Sequence, residues 1–414
     1  MKKENLKRYF QFLLVVLAAG SIYPLIYLRT AYQETILEVF GISLAQLNTI
    51  FSALGFAYLV GYLPSGLLSD KFSAKWLLVI SLLGVGAGGL WFAQIPDYQS
   101  VVIIFIIWGL FSVFTFWSSH MKLVKLLAEE GEEGRFFGVL DGGRGLVEAV
   151  LAAIAIFIFS QIMKTGDKRA ALIGVIYMYT IVLFVVGLLV AIFVKPENKA
   201  NTANENRQPF KLVDVLDVLK NKRVYLHGAI IFMCYAVTWA VYYLGGFLET
   251  NIGVGPVVVG TVMTIVLWMR PVGGTAAGFL ADKFGKRNIV RLALLGASIC
   301  LILISILPSG LVKPVFYVLV ILTGLFIYSI RGTYWSLIAD SKVDNRIVGV
   351  AIGLVSLIGY LPDIILPTFN SFLFRVFGDN AGYNAYFIST AIIGFIGIIL
   401  VTIFDKVVKK EDCA

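Results

Sequence analysis

Residues 278–287 read GFLADKFGKR, and residues 66–75 read GLLSDKFSAK. Each stretch ends one long apolar run and precedes another. A second pair, RFFGV at 135–139 and RIVGV at 346–350, recurs at nearly the same separation. Because these matches fall at corresponding points of the two halves, the sequence indicates a tandem duplication of one unit.

The composition indicates that this unit lies in a lipid bilayer. Of the 414 residues, 59% are hydrophobic and only 14% are charged, whereas about 25% of residues in soluble domains are charged. A helix needs about 20 apolar residues to cross the hydrocarbon of a bilayer. Twelve such runs are present, and we number these predicted spans in chain order: 9–33, 44–69, 74–95, 99–122, 134–162, 170–194, 224–249, 255–281, 287–308, 313–338, 346–375 and 382–407.

The fold class that follows is an all-α membrane protein with twelve transmembrane helices. The polar stretch 196–223 divides the spans into six plus six, which predicts an N-terminal six-helix bundle at 1–195, a cytoplasmic linker at 196–223 and a C-terminal six-helix bundle at 224–414. We expect the two bundles to be related by a pseudo-two-fold axis. Parallel repeats of this kind bind their substrate near the middle of the membrane.

The distribution of basic residues predicts the orientation. Lys and Arg are enriched on the cytoplasmic side of membrane proteins, and most of the 34 in this chain fall on the side of the two termini and the linker. We therefore expect a multi-pass protein of the cytoplasmic (inner) membrane with both termini in the cytoplasm. This placement also argues against nucleic-acid binding, in spite of a net charge of +9. The outer loops hold Lys164, Lys168, Arg169, Lys313 and Arg375.

The repeated loop carries a known signature. It resembles the G-x-L-A-D-R/K-x-G-R/K-R/K loop between the second and third spans of the major facilitator superfamily. The first copy departs from this pattern at Ser73 and Ala74, but the resemblance extends over the whole chain and implies a transporter of that fold. The matching residues of the second copy are Gly278, Leu280, Ala281, Asp282, Lys283, Gly285, Lys286 and Arg287.

The resemblance implies that this loop closes the cytoplasmic side. A carboxylate there can approach a helix N-terminus, where the helix dipole favours it, and small residues let membrane helices approach closely. The alternative is that the loop only fixes the topology through its positive charge. The predicted gate residues are Gly66, Asp70, Lys71, Gly278, Asp282, Lys283 and Arg287.

Charged residues also interrupt the apolar run of predicted span 5. Asp141, Arg144 and Glu148 are spaced i, i+3 and i+7 and therefore share one helix face. An ionised side chain at the bilayer centre costs at least about 2.5–3.5 kcal/mol, so this face is expected to line an aqueous cavity. An intrahelical ion pair of Arg144 with either acid is the structural alternative.

Three further arginines and one further acid lie inside the spans. Arg29 could instead extend to the outer interface, Arg331 could pair with Asp340 or Glu129, and Asp363 could cap a helix break. A surplus of guanidinium groups in a cavity favours an anion, because arginine offers planar, bidentate donors. The predicted substrate-binding residues are Arg144, Arg270, Arg29, Arg331, Tyr23, Tyr27, Trp239 and Tyr243; Asp141, Glu148 and Asp363 are predicted to serve proton coupling or ion pairing.

The arginine-rich interior is similar to that of the anion-handling branches of the superfamily, such as the organophosphate:phosphate antiporters and the anion:cation symporters. We therefore expect a secondary active transporter of a small organic or phosphorylated anion. It would work by alternating access, with proton coupling or anion exchange, and Arg144 and Arg270 would clamp the anion. The alternative is a proton-driven exporter of drugs or other apolar compounds, although span 4 lacks the R-x-x-x-G pattern of many exporters.

The sequence does not suggest an enzyme. It contains no nucleophile–base pair, no cluster of metal ligands and no phosphate-binding loop, and only two histidines, His120 and His227. We expect no cofactor and no metal. The expected partners are a small anion, a proton or counter-anion and the lipid bilayer, with the protein acting as a monomer.

Overall fold

The computed structural model describes residues 3–128, 133–196, 220–341 and 348–412, and these ranges contain helices, turns and no strand. Eleven helical segments within them are long and apolar enough to cross a membrane. The remaining predicted span, 9–33, folds as two helices joined by a turn at 22–28. The all-α membrane class is therefore confirmed. Most of the predicted linker, residues 197–219, and Glu129 lie outside the described residues.

The described residues of the first half of the chain form eight α-helices, because two of its predicted spans are interrupted. A π-helical segment, Leu110–Thr115, divides predicted span 4. The turn at 22–28 divides predicted span 1. The helices are α1 (Lys3–Ser21), α2 (Arg29–Phe40), α3 (Leu44–Lys71), α4 (Ala74–Phe92), α5 (Tyr98–Gly109), α6 (Trp117–Leu127), α7 (Glu133–Met163) and α8 (Lys168–Phe193).

In the second half, residues 220–341 and 348–412 also form eight α-helices. Predicted span 7 is interrupted at 239–240 and predicted span 11 at 360–361, while span 10 ends in a 3-10 helix, Tyr334–Ser341. The helices are α9 (Lys222–Thr238), α10 (Val241–Thr250), α11 (Pro256–Phe284), α12 (Lys286–Ile306), α13 (Lys313–Thr333), α14 (Val348–Gly359), α15 (Pro362–Phe377) and α16 (Asp379–Asp412).

The described residues form two compact units. Unit 1 contains the residues up to 196 together with Gly255–Trp268, and unit 2 contains 220–254 and the residues from Met269 onward. The beginning of α11 thus belongs to unit 1, where the side chains of Ile156 and Tyr32 lie nearest to Gly260. The predicted bundle boundaries, which assign all of α11 to the second bundle, stay a prediction.

The interruptions place functional residues at helix ends. Non-helical backbone at membrane depth is tolerated only where protein buries it or where it lines a cavity, and transporters build their binding sites from such discontinuous helices. The break in span 1 contains Tyr23, the break in span 7 contains Trp239, and the break in span 11 immediately precedes Asp363. The broken spans are therefore where the candidate site is built.

Glycines bring α11 and α13 of unit 2 into close contact. A Cβ atom on Gly332 would lie 2.8 Å from the Cα of Gly274, and one on Gly273 would lie 2.7 Å from the backbone oxygen of Leu325. A Cβ atom on Gly278 would meet no atom within 4 Å. The close approach expected at Gly278 is therefore wrong, because the helices meet one to two turns earlier along α11.

Candidate functional site

In the interior of unit 1, Arg144 lies between a carboxylate and an aromatic ring. Its Nε donates to Oε1 of Glu148 at 3.2 Å, and its guanidinium carbon lies 4.7 Å from the centre of the Tyr23 ring. The Tyr23 hydroxyl donates to the backbone oxygen of Ser112 at 3.0 Å, which ties the ring to the π-helical segment. The arginine and glutamate side chains are only 15% and 10% exposed. The i, i+4 ion pair expected as the alternative for Arg144 is thus present.

Asp141 does not join this pair, although it was expected on the same face. Its side chain is exposed, and it makes no hydrogen bond or ion pair with any residue in the described ranges. One turn of helix separates Asp141 from Arg144, and the guanidinium extends toward Glu148. His120, by contrast, is buried in unit 1 at 2% exposure, with its ring stacked on Phe116.

Arg29 is enclosed by the protein. It is 1% exposed, its Nη1 donates to Oδ1 of Asn48 at 3.1 Å, and its Nη2 donates to Oε1 of Gln33 at 2.7 Å. Its guanidinium also faces the Phe51 ring at 4.8 Å. The alternative of a side chain extended to the interface is therefore wrong for Arg29, since the side chain is enclosed and its two terminal nitrogens donate to amide oxygens. Tyr27, predicted to bind substrate, is half-buried and contacts the same Phe51 ring.

Asp363, in the first turn of α15, is the centre of a polar cluster in unit 2. The side chain is 5% exposed. Its Oδ1 accepts hydrogen bonds from the Tyr235 hydroxyl at 2.8 Å and from Nε1 of Trp239 at 2.9 Å. Tyr360 packs edge-on against Tyr235 with ring centres 4.8 Å apart, and Nε1 of Trp335 donates to the Tyr360 hydroxyl at 3.1 Å. The two interrupted spans of unit 2, spans 7 and 11, thus meet at one carboxylate, and the end of span 10 adjoins them through Trp335.

Arg331, in the last turn of α13, stands among tyrosines near this cluster. It is half-buried, and its charge interacts with the phenol groups of Tyr334, Tyr242, Tyr235 and Tyr328. The charge also acts on Asp363. Within the described ranges, no carboxylate oxygen lies within 4 Å of a guanidinium nitrogen of Arg331, so this arginine forms no ion pair there. Asp340, its expected partner, pairs with other residues.

The other predicted binding residues of unit 2 are less informative. Arg270 is half-buried in α11, directly before Pro271. Trp239 is 1% exposed and is held by Asp363, as described above. Tyr243 is completely buried against Tyr386, with ring centres 4.6 Å apart, and its predicted role in substrate binding stays a prediction.

A charge cluster joins three elements at the end of unit 2 that carries the GFLADKF loop. Asp340 accepts from Nζ of Lys286 at 2.8 Å and from Nε of Arg287 at 2.8 Å. Arg287 also pairs with Asp405 of α16, which Arg291 contacts at 3.4 Å. The cluster ties the end of span 10 to α12 and α16. The predicted gate residue Arg287 thus pairs with Asp340, which was expected as a partner of Arg331, and with Asp405, which the sequence pattern did not single out.

Of the other predicted gate residues, Lys71, Asp282 and Lys283 do not join that cluster within the described ranges. The surroundings of Gly66 and the side chain of Asp70 lie outside the described part of the structure. Lys71, Asp282 and Lys283 are exposed. Within the described ranges Asp282 contacts no cation or helix N-terminus, so the expected interaction of this carboxylate is not seen.

Sequence reasoning overlooked several polar partners. Ser112, Asn48 and Gln33 position Tyr23 and Arg29, but single polar residues within apolar spans carry no pattern that identifies their contacts. One signal was available for the Asp363 cluster. Tyr23 and Tyr27 recur as Tyr235 and Trp239 at the separation of the two GxLxDKF copies, GLLSDKF and GFLADKF.

Comparison with known proteins agrees with this architecture. The chain is 26% identical over 424 residues to the inner membrane protein YqcE of Escherichia coli, covering 100% of this chain and 98% of that protein. It is 25% identical over 392 residues to the hexuronate transporter of Bacillus subtilis, covering 86% of each. Among solved structures, a bacterial homolog of the human lysosomal transporter Spinster superposes with a TM-score of 0.77 at 12% identity, covering 99% and 98% of the two chains.

The sequence profile of the Major Facilitator Superfamily matches residues 10–367. This match spans the duplicated loops, the interrupted spans and the residues around Arg144, Arg331 and Asp363. The chain belongs to the Major Facilitator Superfamily and is a multi-pass membrane transporter.

Proposed function

We propose that the protein carries a small organic anion of the sugar-acid class across the cytoplasmic membrane by alternating access. Both termini then lie in the cytoplasm, in keeping with the distribution of Lys and Arg. The observation that carries the anion assignment is Arg331, whose guanidinium is half-buried without an ion-pair partner in the described ranges.

Arg331 is suited to bind an anion because phenol groups surround its guanidinium and no carboxylate in the described ranges forms an ion pair with it. The phenol groups of Tyr235 and Tyr242 lie close enough to interact with its charge, and a guanidinium presents two parallel donors to a carboxylate or phosphate. In unit 1 the charge of Arg144 is largely neutralised by Glu148. Arg331 is therefore a stronger candidate for the principal anion-binding residue than Arg144. The clamp formed by Arg144 and Arg270 stays a prediction.

The sugar-acid class rests on aromatic residues and on one relative. Trp335 and Tyr360 join the rings around Asp363, and aromatic side chains with polar groups suit ligands that have both a flat face and hydroxyl groups. The similar hexuronate transporter of Bacillus subtilis acts, by its name, on a carboxylated sugar. A hexuronate such as D-glucuronate is therefore the first ligand to test.

The test compares Arg331→Gln with a matched control, Arg375→Gln, at an exposed arginine of α15. Purified proteins are reconstituted in liposomes, and the uptake of radiolabelled D-glucuronate is measured with phosphorylated sugars, nucleosides and apolar cations as competitors. A hydrogen bond to a charged group contributes about 1.5–3 kcal/mol, so we expect Arg331→Gln to weaken glucuronate binding by roughly 10- to 150-fold. Arg375→Gln should transport normally.

Two results would contradict the proposal. One is competition by apolar cations with none by anions, which would favour the exporter alternative. The other is normal anion uptake by Arg331→Gln. The melting temperature of each variant, measured without ligand, separates a loss of binding from a loss of folding.

A further inference from the structure

A buried carboxylate in a transporter requires a physical reason, and Asp363 has two. Its charge is costly at 5% exposure. Two donors, from Tyr235 and Trp239, lower this cost by donating to Oδ1. The side chain also lies in the first turn of α15, where the helix dipole favours a negative charge. A carboxyl group in this balance between desolvation and stabilisation can exchange a proton when its surroundings change.

The geometry leaves one oxygen of this group available for a proton. Both hydrogen bonds of Asp363 reach Oδ1, and no residue within the described ranges donates to Oδ2. A proton added to Oδ2 gives a neutral carboxyl group and leaves both existing hydrogen bonds in place. Protonation therefore needs no rearrangement of the Tyr235 and Trp239 side chains.

We propose that Asp363 binds the proton that is coupled to anion transport; this inference rests on the anion function proposed above. The proton comes from water on one side of the membrane, adds to Oδ2, and leaves to water on the other side. Arg331 connects this event to the anion, because the charges of Arg331 and Asp363 interact. When Asp363 is neutral, the positive charge of Arg331 is no longer offset and attracts an anion more strongly.

The other ionisable groups around Asp363 are consistent with this role. Tyr235 of α9 donates to it, and Arg331 of α13 is the cation that acts on it. Tyr360, in the turn before α15, packs against Tyr235. The helix α16 also packs against α15, but its residues Tyr383 and Tyr386 contact Phe374 and Tyr243, away from the carboxylate. Arg331 is thus the charged side chain whose electrostatic environment changes when Asp363 gains or loses a proton.

The other two predicted coupling acids fit the role less well. Glu148 is bound by Arg144 at 3.2 Å and therefore serves as the ion-pair partner of that arginine. Asp141 is exposed and has no partner in the described ranges, so its protonation would not be transmitted to another group. Asp363 differs from both because it combines burial with an electrostatic link to Arg331, the arginine that has no ion-pair partner in the described ranges.

The decisive variant is Asp363→Asn, which mimics the protonated carboxyl group. Binding of D-glucuronate to purified protein is measured by calorimetry as a function of pH. In the unaltered protein, proton and anion bind cooperatively, so we expect the affinity to rise as the pH falls, by a factor within the usual range of about 5 to 150 for coupled sites. In Asp363→Asn we expect the tighter affinity at every pH and no further pH dependence.

Transport assays give the second measurement. In liposomes, Asp363→Asn should exchange internal for external glucuronate at equal pH, but it should no longer accumulate glucuronate when a pH gradient is imposed. The matched control is Asp379→Asn, at an exposed aspartate at the start of α16, and it should keep both activities. Accumulation driven by the pH gradient in Asp363→Asn would overturn the inference. Folded Asp363→Asn protein that neither binds nor exchanges glucuronate would also overturn it, because Asp363 would then be a binding residue.

A spectroscopic measurement keeps this inference separate from the proposed function. Infrared difference spectra between acidic and neutral pH show the carbonyl stretch of a protonated carboxyl group, and this measurement needs no substrate. We expect a band in the unaltered protein that is missing in Asp363→Asn and present in Asp379→Asn. If the unaltered protein carries no anion, the anion function fails while the band still reports on Asp363. If the band persists in Asp363→Asn, the assignment of the proton to Asp363 fails.

Discussion

Aromatic residues at corresponding positions of the duplicated unit contact opposite charges: Tyr23 contacts a cation in unit 1, and Tyr235 contacts an anion in unit 2. In unit 1, the face of the Tyr23 ring lies against the guanidinium of Arg144 at 4.7 Å. In unit 2, the corresponding Tyr235 and its neighbour Trp239 point their O–H and N–H groups at the carboxylate of Asp363. The same frame of aromatic side chains thus stabilises a cation in one unit and an anion in the other.

The difference follows from the chemistry of aromatic side chains. The face of the ring is electron-rich and attracts cations, whereas the hydroxyl of tyrosine and the indole N–H of tryptophan are donors that attract anions. The two repeats can therefore keep aromatic residues at the same positions and still form two different sites. The difference needs only a charged residue on another span: Arg144, which corresponds to Val355 in the second repeat, and Asp363, which corresponds to Ala152 in the first.

The largest effect should come from separating the ion pair of unit 1. Arg144→Gln leaves Glu148 without its cation. Breaking a buried pair costs about 3–5 kcal/mol, and the remaining exposure of 15% and 10% reduces this cost. We expect a clear drop in melting temperature for Arg144→Gln in detergent. The double variant Arg144→Gln/Glu148→Gln should recover much of it, and a double variant as unstable as the single one would show that Arg144 does not stabilise through Glu148.

A smaller effect is expected at the donors of unit 2. Tyr235→Phe keeps the ring and removes one hydrogen bond to Asp363. Hydrogen bonds between membrane helices contribute about 0.6 kcal/mol on average and up to ~2 kcal/mol in model peptides, so we expect a modest loss of stability of this size. Tyr225→Phe, at a ring that is 42% exposed, is the control and should not change the melting temperature. Equal effects of both changes would argue against a stabilising role for the Tyr235 hydroxyl.

The smallest difference in stability should be found between two variants of Tyr23 that distinguish the contribution of the ring from that of the hydroxyl. Tyr23→Phe keeps the ring beside Arg144 and loses the hydrogen bond to Ser112, whereas Tyr23→Leu loses both. A cation–π contact contributes about 0.5–2 kcal/mol depending on desolvation. We expect Tyr23→Leu to be less stable than Tyr23→Phe by an amount in this range. Two equally stable variants would show that the ring face does not stabilise Arg144.

The fold could be predicted because its determinants are local and repeated. Long apolar runs specify membrane helices through length and composition, and the two GxLxDKF loops specify the duplication. Interruptions in spans 1, 4 and 7 were not predicted, because runs such as 9–33 keep their apolar composition through the break, whereas a break beside Asp363 in span 11 was considered as an alternative. A hydropathy pattern reports whether a segment prefers lipid or water. It does not report a turn of the backbone when the residues on both sides of the turn stay in the membrane.

The candidate site was predicted in part. The intramembrane residues Arg144, Arg331 and Asp363 were identifiable because a charge in an apolar run is costly and therefore needs a reason. Their partners were not identifiable: Arg144 could have paired with Asp141, and Arg331 with Asp340. Asp340 instead pairs with Lys286 and Arg287, a choice that depends on which helix ends meet.

By itself, the sequence determined that this protein lies in a lipid bilayer, and it predicted twelve spans and an internal repeat. It also identified the small set of charged residues that lie within the spans. Only the tertiary structure decided which of those charges are neutralised, as Arg144 is by Glu148, and which stand among neutral donors, as Arg331 does. The physical reason is the separation along the chain of the residues that interact. Burial and helix formation depend on residues near in sequence, whereas pairing of charges depends on distances of a few ångströms between spans far apart in the chain.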